Sequence, residues 1–174
     1  MVKVLGVIPL SAIKGFGTFY IQYLDLLLVT DAGILVLRDV CKLKGLEDVF
    51  PISRKKLGEL FNNLSKSSKE FRDYIYSIIG LSVNLDELAK ILGKKFSKNC
   101  VFIHYKDIIR LELKRRKVQM IVTKASIMEI KIDTEKKNYY FKVLPGSYKD
   151  VNENLAYTEV LDTLRKAKIP ITTP

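Results

Sequence analysis

CVFIHYKDIIRLELKRRKVQMIVTKASIMEIKIDTEKKNYYFKVL, Cys100 to Leu144, organises the rest of the chain. Branched residues crowd Ile108 to Leu113 and again Val118 to Thr123. Between them stand Lys114, Arg115, Arg116 and Lys117, four adjacent cations that repel one another and resist burial, so they read as a solvated turn. In the first run Ile109, Leu111 and Leu113 alternate with Arg110 and Glu112. A period of two puts the apolar set on one face of a half-buried antiparallel strand. Ile127 to Ile132 repeats the pattern, Asp133 to Asn138 is a polar turn, and Tyr139 to Leu144 is a strand ended by Pro145-Gly146. The expectation is four strands in a row with a basic tip between the first two.

A helix should follow. Asp150 and Glu153 have the spacing of a capping box, and Tyr157, Val160, Leu161 and Leu164 form one apolar stripe. Arg165, Lys166 and Lys168 suit its C-terminal end, and Pro170 stops it.

Upstream, Lys3 to Leu10 reads as a short buried strand ending at Pro9, and Gly15-Phe16-Gly17 as a turn. Thr18 to Thr30 is a long strand. Asp31-Ala32-Gly33 reverses the chain into Ile34 to Arg38, a hairpin signal between apolar runs. The period then changes. Ser53 can cap a helix with the stripe Leu57, Leu60, Phe61 and Leu64. Phe71, Ile75, Ile78 and Ile79 make a second stripe that ends near Gly80. Asn84 and Glu87 frame a third helix, with Leu85, Leu88, Ala89 and Leu92, that Gly93 ends. A helical block over about residues 51–98 thus interrupts a β-rich chain.

With the block removed, seven antiparallel strands and a C-terminal helix remain. YLDLLLVTDAGILVL (Tyr23 to Leu37) resembles the T-D hairpin of prokaryotic and archaeal PH-like (GRAM-like) domains, matching at Thr30 and Asp31. FIHYKDIIRLELK (Phe102 to Lys114) resembles their I-P-Y-x-D-I strand entry, matching at Tyr105, Asp107 and Ile108, with His104 in place of proline. The resemblance implies an α+β chain: one PH-like domain over residues 1–174, built as a seven-stranded antiparallel barrel with a C-terminal helix and the helical block as an insertion. It also implies a non-enzymatic binding or scaffold domain acting through protein or oligomer contacts. In that family, basic residues on strand-connecting loops meet lipid phosphates. Here the first hairpin's loop has no cation, so a peripheral anionic membrane ranks below protein and nucleic acid as a partner.

Composition narrows the field further. The chain has 174 residues, 48% of them hydrophobic, and a formal net charge of +11. Residues 101–150 carry twelve cations against six anions and residues 51–100 ten against five, so the excess lies in the middle hundred residues. That is a footprint for nucleic acid, the alternative function, or the lysine-rich solvated surface of a thermophile. The candidate site for a phosphate-type anion is Lys114, Arg115, Arg116 and Lys117. Tyr139 and Tyr140, beside Lys136 and Lys137, offer one ring for stacking, because adjacent strand residues face opposite ways. LDELAKILG (Leu85 to Gly93) resembles the first helix of a helix-turn-helix, but FSKNCVFIHY after it is β-like. Cys41 and Cys100 match no metal spacing and no disulfide framework, which suggests a reducing, cytoplasmic setting. Asp25 interrupts the longest apolar run, well short of a membrane span. His104 is the single histidine, and no nucleotide, zinc or nucleophile motif is present, so no catalytic residue, metal or cofactor is assigned.

Overall fold

The structure, a computed structural model, describes residues 1–16, 19–119 and 124–173. Among these residues nine strands form one mixed sheet: β1 (Val2–Phe16), β2 (Phe19–Thr30), β3 (Gly33–Leu37), β4 (Ser82–Val83), β5 (Cys100–His104), β6 (Ile108–Gln119), β7 (Lys124–Thr134), β8 (Asn138–Val143) and β9 (Ile171–Thr172). Their order is β5-β3-β2-β1-β8-β7-β6-β9, with β4 on β1. The helices are α1 (Leu46–Val49), α2 (Arg54–Asn62), α3 (Leu64–Tyr76), α4 (Leu85–Leu92), α5 (Phe96–Asn99) and α6 (Glu153–Arg165).

This overturns the expected seven-stranded antiparallel barrel. The sheet is open, β5 and β9 lie at the two ends of its order, and β9 runs parallel to β6. Its two halves meet through one short seam, where Leu10 pairs with Val143 and Ser11 with Lys142. A wall of seven strands joined only by hairpins cannot contain the short added strands β4 and β9, which the pattern in the sequence does not mark.

The predicted four-strand meander is also corrected. Ile108 to Gln119 is one continuous strand, and the four cations lie inside it rather than at a tip. A strand tolerates them because alternate side chains leave on opposite faces and carboxylates stand nearby. Residues 120–123 of the expected second strand lie outside the described residues. Ile109 leaves the apolar face because a bulge falls between Ile108 and Arg110, and the side chain is 68% exposed. Leu111 and Leu113 are fully buried as their alternation requires. The first strand runs through Pro9 to Phe16, since the Pro9 carbonyl still accepts from the Leu144 N–H at 2.9 Å. Gly15 and Phe16, expected in a turn, continue β1, while Gly17 and Thr18 lie outside the described residues.

Two apolar clusters sit on opposite faces of the β1–β3 part of the sheet. On one face Val7, Leu26, Leu28, Leu35 and Leu37 pack beneath Leu57, Phe71, Ile75 and Leu88 of the helical block. On the other, Ile8, Leu27, Val29, Ile34 and Val36 join Leu111, Leu113, Ile130 and Ile132 around Ala156, Val160 and Leu164 of α6. The same three strands are therefore buried on both sides, which explains their unbroken apolar runs where β6–β8 alternate. Helix α6 rests closely on β1: a Cβ at Gly6 would stand 2.6 Å from the Thr163 methyl.

The predicted caps hold at two helices. Ser53 accepts from the Lys56 N–H at 3.4 Å, and Asn84 from those of Asp86 and Glu87 at 3.0 and 3.3 Å. At α6 the cap is Asn152, which accepts from the Leu155 N–H at 2.9 Å. Asp150, expected in that role, is drawn away by Arg72. Asn152→Ala should therefore cost about 1 kcal/mol, a fall in melting temperature of about 2–4 °C readable by circular dichroism.

Candidate ligand-binding cleft

The basic run does not form a cluster. Lys114 and Arg116 point to the outer face of β6 and pair with Glu112 at 3.0 Å and Glu129 at 3.1 Å. Arg115, on the face of Leu111 and Leu113, donates to Asn154 at 2.8 Å and lies 5.5 Å from the Tyr157 ring. Lys117 is exposed. Alternation, which lets these cations occupy a strand, also separates them.

His104 is exposed at the end of β5, its ring edge-on to Phe102 at 4.6 Å. Tyr105 turns away from it and donates to the Thr30 carbonyl, and burial pushes its hydroxyl up to about 12. Thr30 and Asp31, the residues matched in the first hairpin, act on the backbone. Thr30 Oγ1 bridges the turn to Gly33, and Asp31 accepts from the Lys3 N–H at 2.8 Å. Both cysteines are free thiols, raised mainly by burial to about 11 at Cys41 and about 12 at Cys100. They are poor nucleophiles at neutral pH. Among the described residues no three histidine, cysteine or carboxylate side chains gather as a metal site. Among the described residues no helix is long and apolar enough to cross a membrane. Helix α4 is followed by a short 3-10 turn and the four-residue α5, which is too short for a recognition helix.

The outer face of β6–β8 carries a ladder of charge. Register places Arg110 opposite Asp133, Glu112 opposite Lys131 and Lys114 opposite Glu129, and on the other side of β7 it places Tyr140 opposite Lys131 and Lys142 opposite Glu129. Glu112 is only 4% exposed because the stems of its neighbours cover it; its carboxyl is held low, first by the Lys114 hydrogen bond. Lys131 is raised by its bond to Asp133 at 2.8 Å. Tyr140 stands above this ladder at 69% exposure, with Lys131 5.7 Å from its ring centre. Tyr139 is half-buried, 6.3 Å from the Phe141 ring. One ring of the adjacent pair is thus open, as alternation required.

Beyond the Leu10–Ser11 seam, β1 continues with β2 while β8 continues with β7. A cleft of about 690 Å³ opens where they part. Residues 11–13, Tyr23 and Asp25 line one wall, residues 140–142 the other, and Arg38, Asp39, Lys42, Lys98 and Asn99 close its end. Asp25 is 7% exposed and accepts from the Asp39 N–H at 2.8 Å, which anchors Asp39 in the left-handed region at φ 50°. Lys42 lies 5.0 Å from the Tyr23 ring. Among the described residues Arg38, Lys42, Lys98 and Lys142 have no carboxylate within ion-pair distance. Sequence reasoning missed this site because its cations come from three distant segments. The available signal was Asp25, a charge inside a strand buried on both faces.

A second polar cluster ties the helical block to the C-terminal helix. Arg72 of α3 is 6% exposed; it grips both Asp150 oxygens, Oδ2 at 2.7 Å, and donates to the Ser147 carbonyl at 2.6 Å. Ser68 also donates to Asp150, at 2.8 Å, and Tyr76 donates to Glu159 of α6 at 2.6 Å. The Arg72 hydrogen bonds hold the Asp150 carboxyl well below the usual carboxylate range. Burial pushes Tyr76 far up and Tyr148 to about 12. The guanidinium is enclosed and satisfied within the protein, so this cluster is a structural latch.

No protein-family model, curated protein or solved structure matches this chain.

Proposed function

We propose that the chain is a non-enzymatic binding domain whose partner is single-stranded nucleic acid, held on the outer face of β6–β8. The observation that carries the reading is Tyr140, an exposed ring among Lys131 and Lys142 on a sheet face, at the mouth of a cation-lined cleft. Aromatic platforms beside cations take bases by stacking and backbone by charge, with little sequence preference. The ladder is mostly paired within itself, with five cations (Arg110, Lys114, Arg116, Lys131, Lys142) against Glu112, Glu129 and Asp133. The face therefore adds only modest charge attraction, and stacking supplies the larger share. The test is filter binding of an unphosphorylated oligothymidylate of about 12 nucleotides, with salt titration. Tyr140→Ala should weaken binding about tenfold or more, and Lys131→Ala should lower the salt dependence. Binding that is absent at low salt, or indifferent to Tyr140→Ala, removes the reading.

A second reading, contact with a protein or a second copy, is favoured by the β1–β2 ribbon. Ile13 and Ile21 are each 59% exposed there, beyond the reach of the β3 and β8 pairings. Sedimentation equilibrium on the wild type and on Ile13→Lys/Ile21→Lys separates the two: self-association lost in the variant supports the ribbon, and a monomer throughout excludes a second copy.

A further inference from the structure

The geometry points to the cleft between β1 and β8 as a site for a nucleoside monophosphate group, either free or at the phosphorylated end of a strand; this rests on the nucleic-acid reading above and deepens it. Four cations, Arg38, Lys42, Lys98 and Lys142, line it alongside Asp25 and Asp39, so the lining is net cationic. A phosphate monoester carries close to two negative charges at neutral pH, whereas an internal phosphodiester carries one. The cleft's 690 Å³ lies within the range of small-molecule sites and is far larger than a phosphate ion needs. Its remaining wall carries the exposed ring of Tyr140, suited to a planar base. The carboxylate of Asp39 can accept from sugar hydroxyls or an exocyclic amine, and it disfavours ligands that are phosphate throughout, because like charges repel. Arginine and lysines with no carboxylate partner among the described residues are available for charge-assisted bonds to a phosphate.

Isothermal titration calorimetry of the full chain with adenosine monophosphate, adenosine and inorganic phosphate tests the assignment. The monophosphate should bind at least about tenfold more tightly than either part, since ring and phosphate contacts act together. Arg38→Ala/Lys98→Ala should weaken it about tenfold or more. Lys98→Ala alone, at an exposed side chain, supplies the same readout if the double variant folds poorly. Comparing an oligonucleotide with and without a 5′-phosphate separates the sources: tighter binding of the phosphorylated strand, lost in the variant, assigns the strand end, and equal binding assigns the free nucleotide. Monophosphate binding no tighter than phosphate, or unchanged in both variants, overturns the proposal. Failure of the cleft leaves unphosphorylated oligonucleotide binding through Tyr140 intact, so the two readings fall separately.

Discussion

Arg72→Ala should destabilise the chain by about 3–5 kcal/mol, lowering the melting temperature by about 10 °C. Removing the guanidinium leaves the Asp150 carboxylate, the Ser147 carbonyl and Glu159 without the donor they share. The cost is that of stranding polar groups, which exceeds the net value of the pair itself. Arg72→Lys should recover only part of it, because an ammonium cannot reproduce the two-pronged grip. Urea and thermal melts read the loss directly; a change below about 1 kcal/mol would show that the latch holds little. The pH dependence has a definite sign. The folded Asp150 carboxyl titrates below its unfolded value of about 4, so its contribution is complete above that pH and is lost as pH falls through the folded value. The wild type should lose its advantage over Asp150→Asn as the medium is made more acid than about pH 4.

Phe71→Ala should cost about 3–5 kcal/mol, since Phe71 is fully buried and its loss leaves a cavity between the helical block and the sheet. The informative measurement is where the loss is felt. The helical block covers one face of β1–β3 while α6 covers the other, and Arg72 clamps the two helical layers together. Amide exchange in β6 and β7 should therefore accelerate along with that in α3, in one cooperative transition. Protection of β6 and β7 that is unchanged while α3 opens would show that the block unfolds by itself. Because Phe71 and Arg72 are neighbours, Phe71→Ala/Arg72→Ala should not be additive.

Much of the secondary structure was legible because it rests on local physics. Asp31-Ala32-Gly33 turns between apolar runs, Ser53 and Asn84 cap helices, and Gly93, at φ 52°, ends α4. Leu111 and Leu113 face inward and Tyr140 outward because side chains alternate along a strand. The cationic run misled for a reason of the same kind. Repulsion among Lys114, Arg115, Arg116 and Lys117 looks prohibitive in one dimension, but Glu112, Glu129 and Asn154 relieve it in three. Asp150 misled likewise: its spacing to Glu153 suggests a cap, while Arg72, 78 residues away, competes for it and wins by a two-pronged charged bond.

The order of the residues was enough for the alternation of β6–β8, the caps of α2 and α4 and the surplus of positive charge. These follow from periodicity and from side chains acting on backbone within a few residues. The tertiary structure alone decided that the sheet is open, that β4 and β9 join it, and that β1 and β8 part after a two-residue seam. It alone decided that Arg38, Lys98 and Lys142 share one cleft. Strand order and the meeting of distant charges depend on which surfaces bury one another, and no local period records that choice.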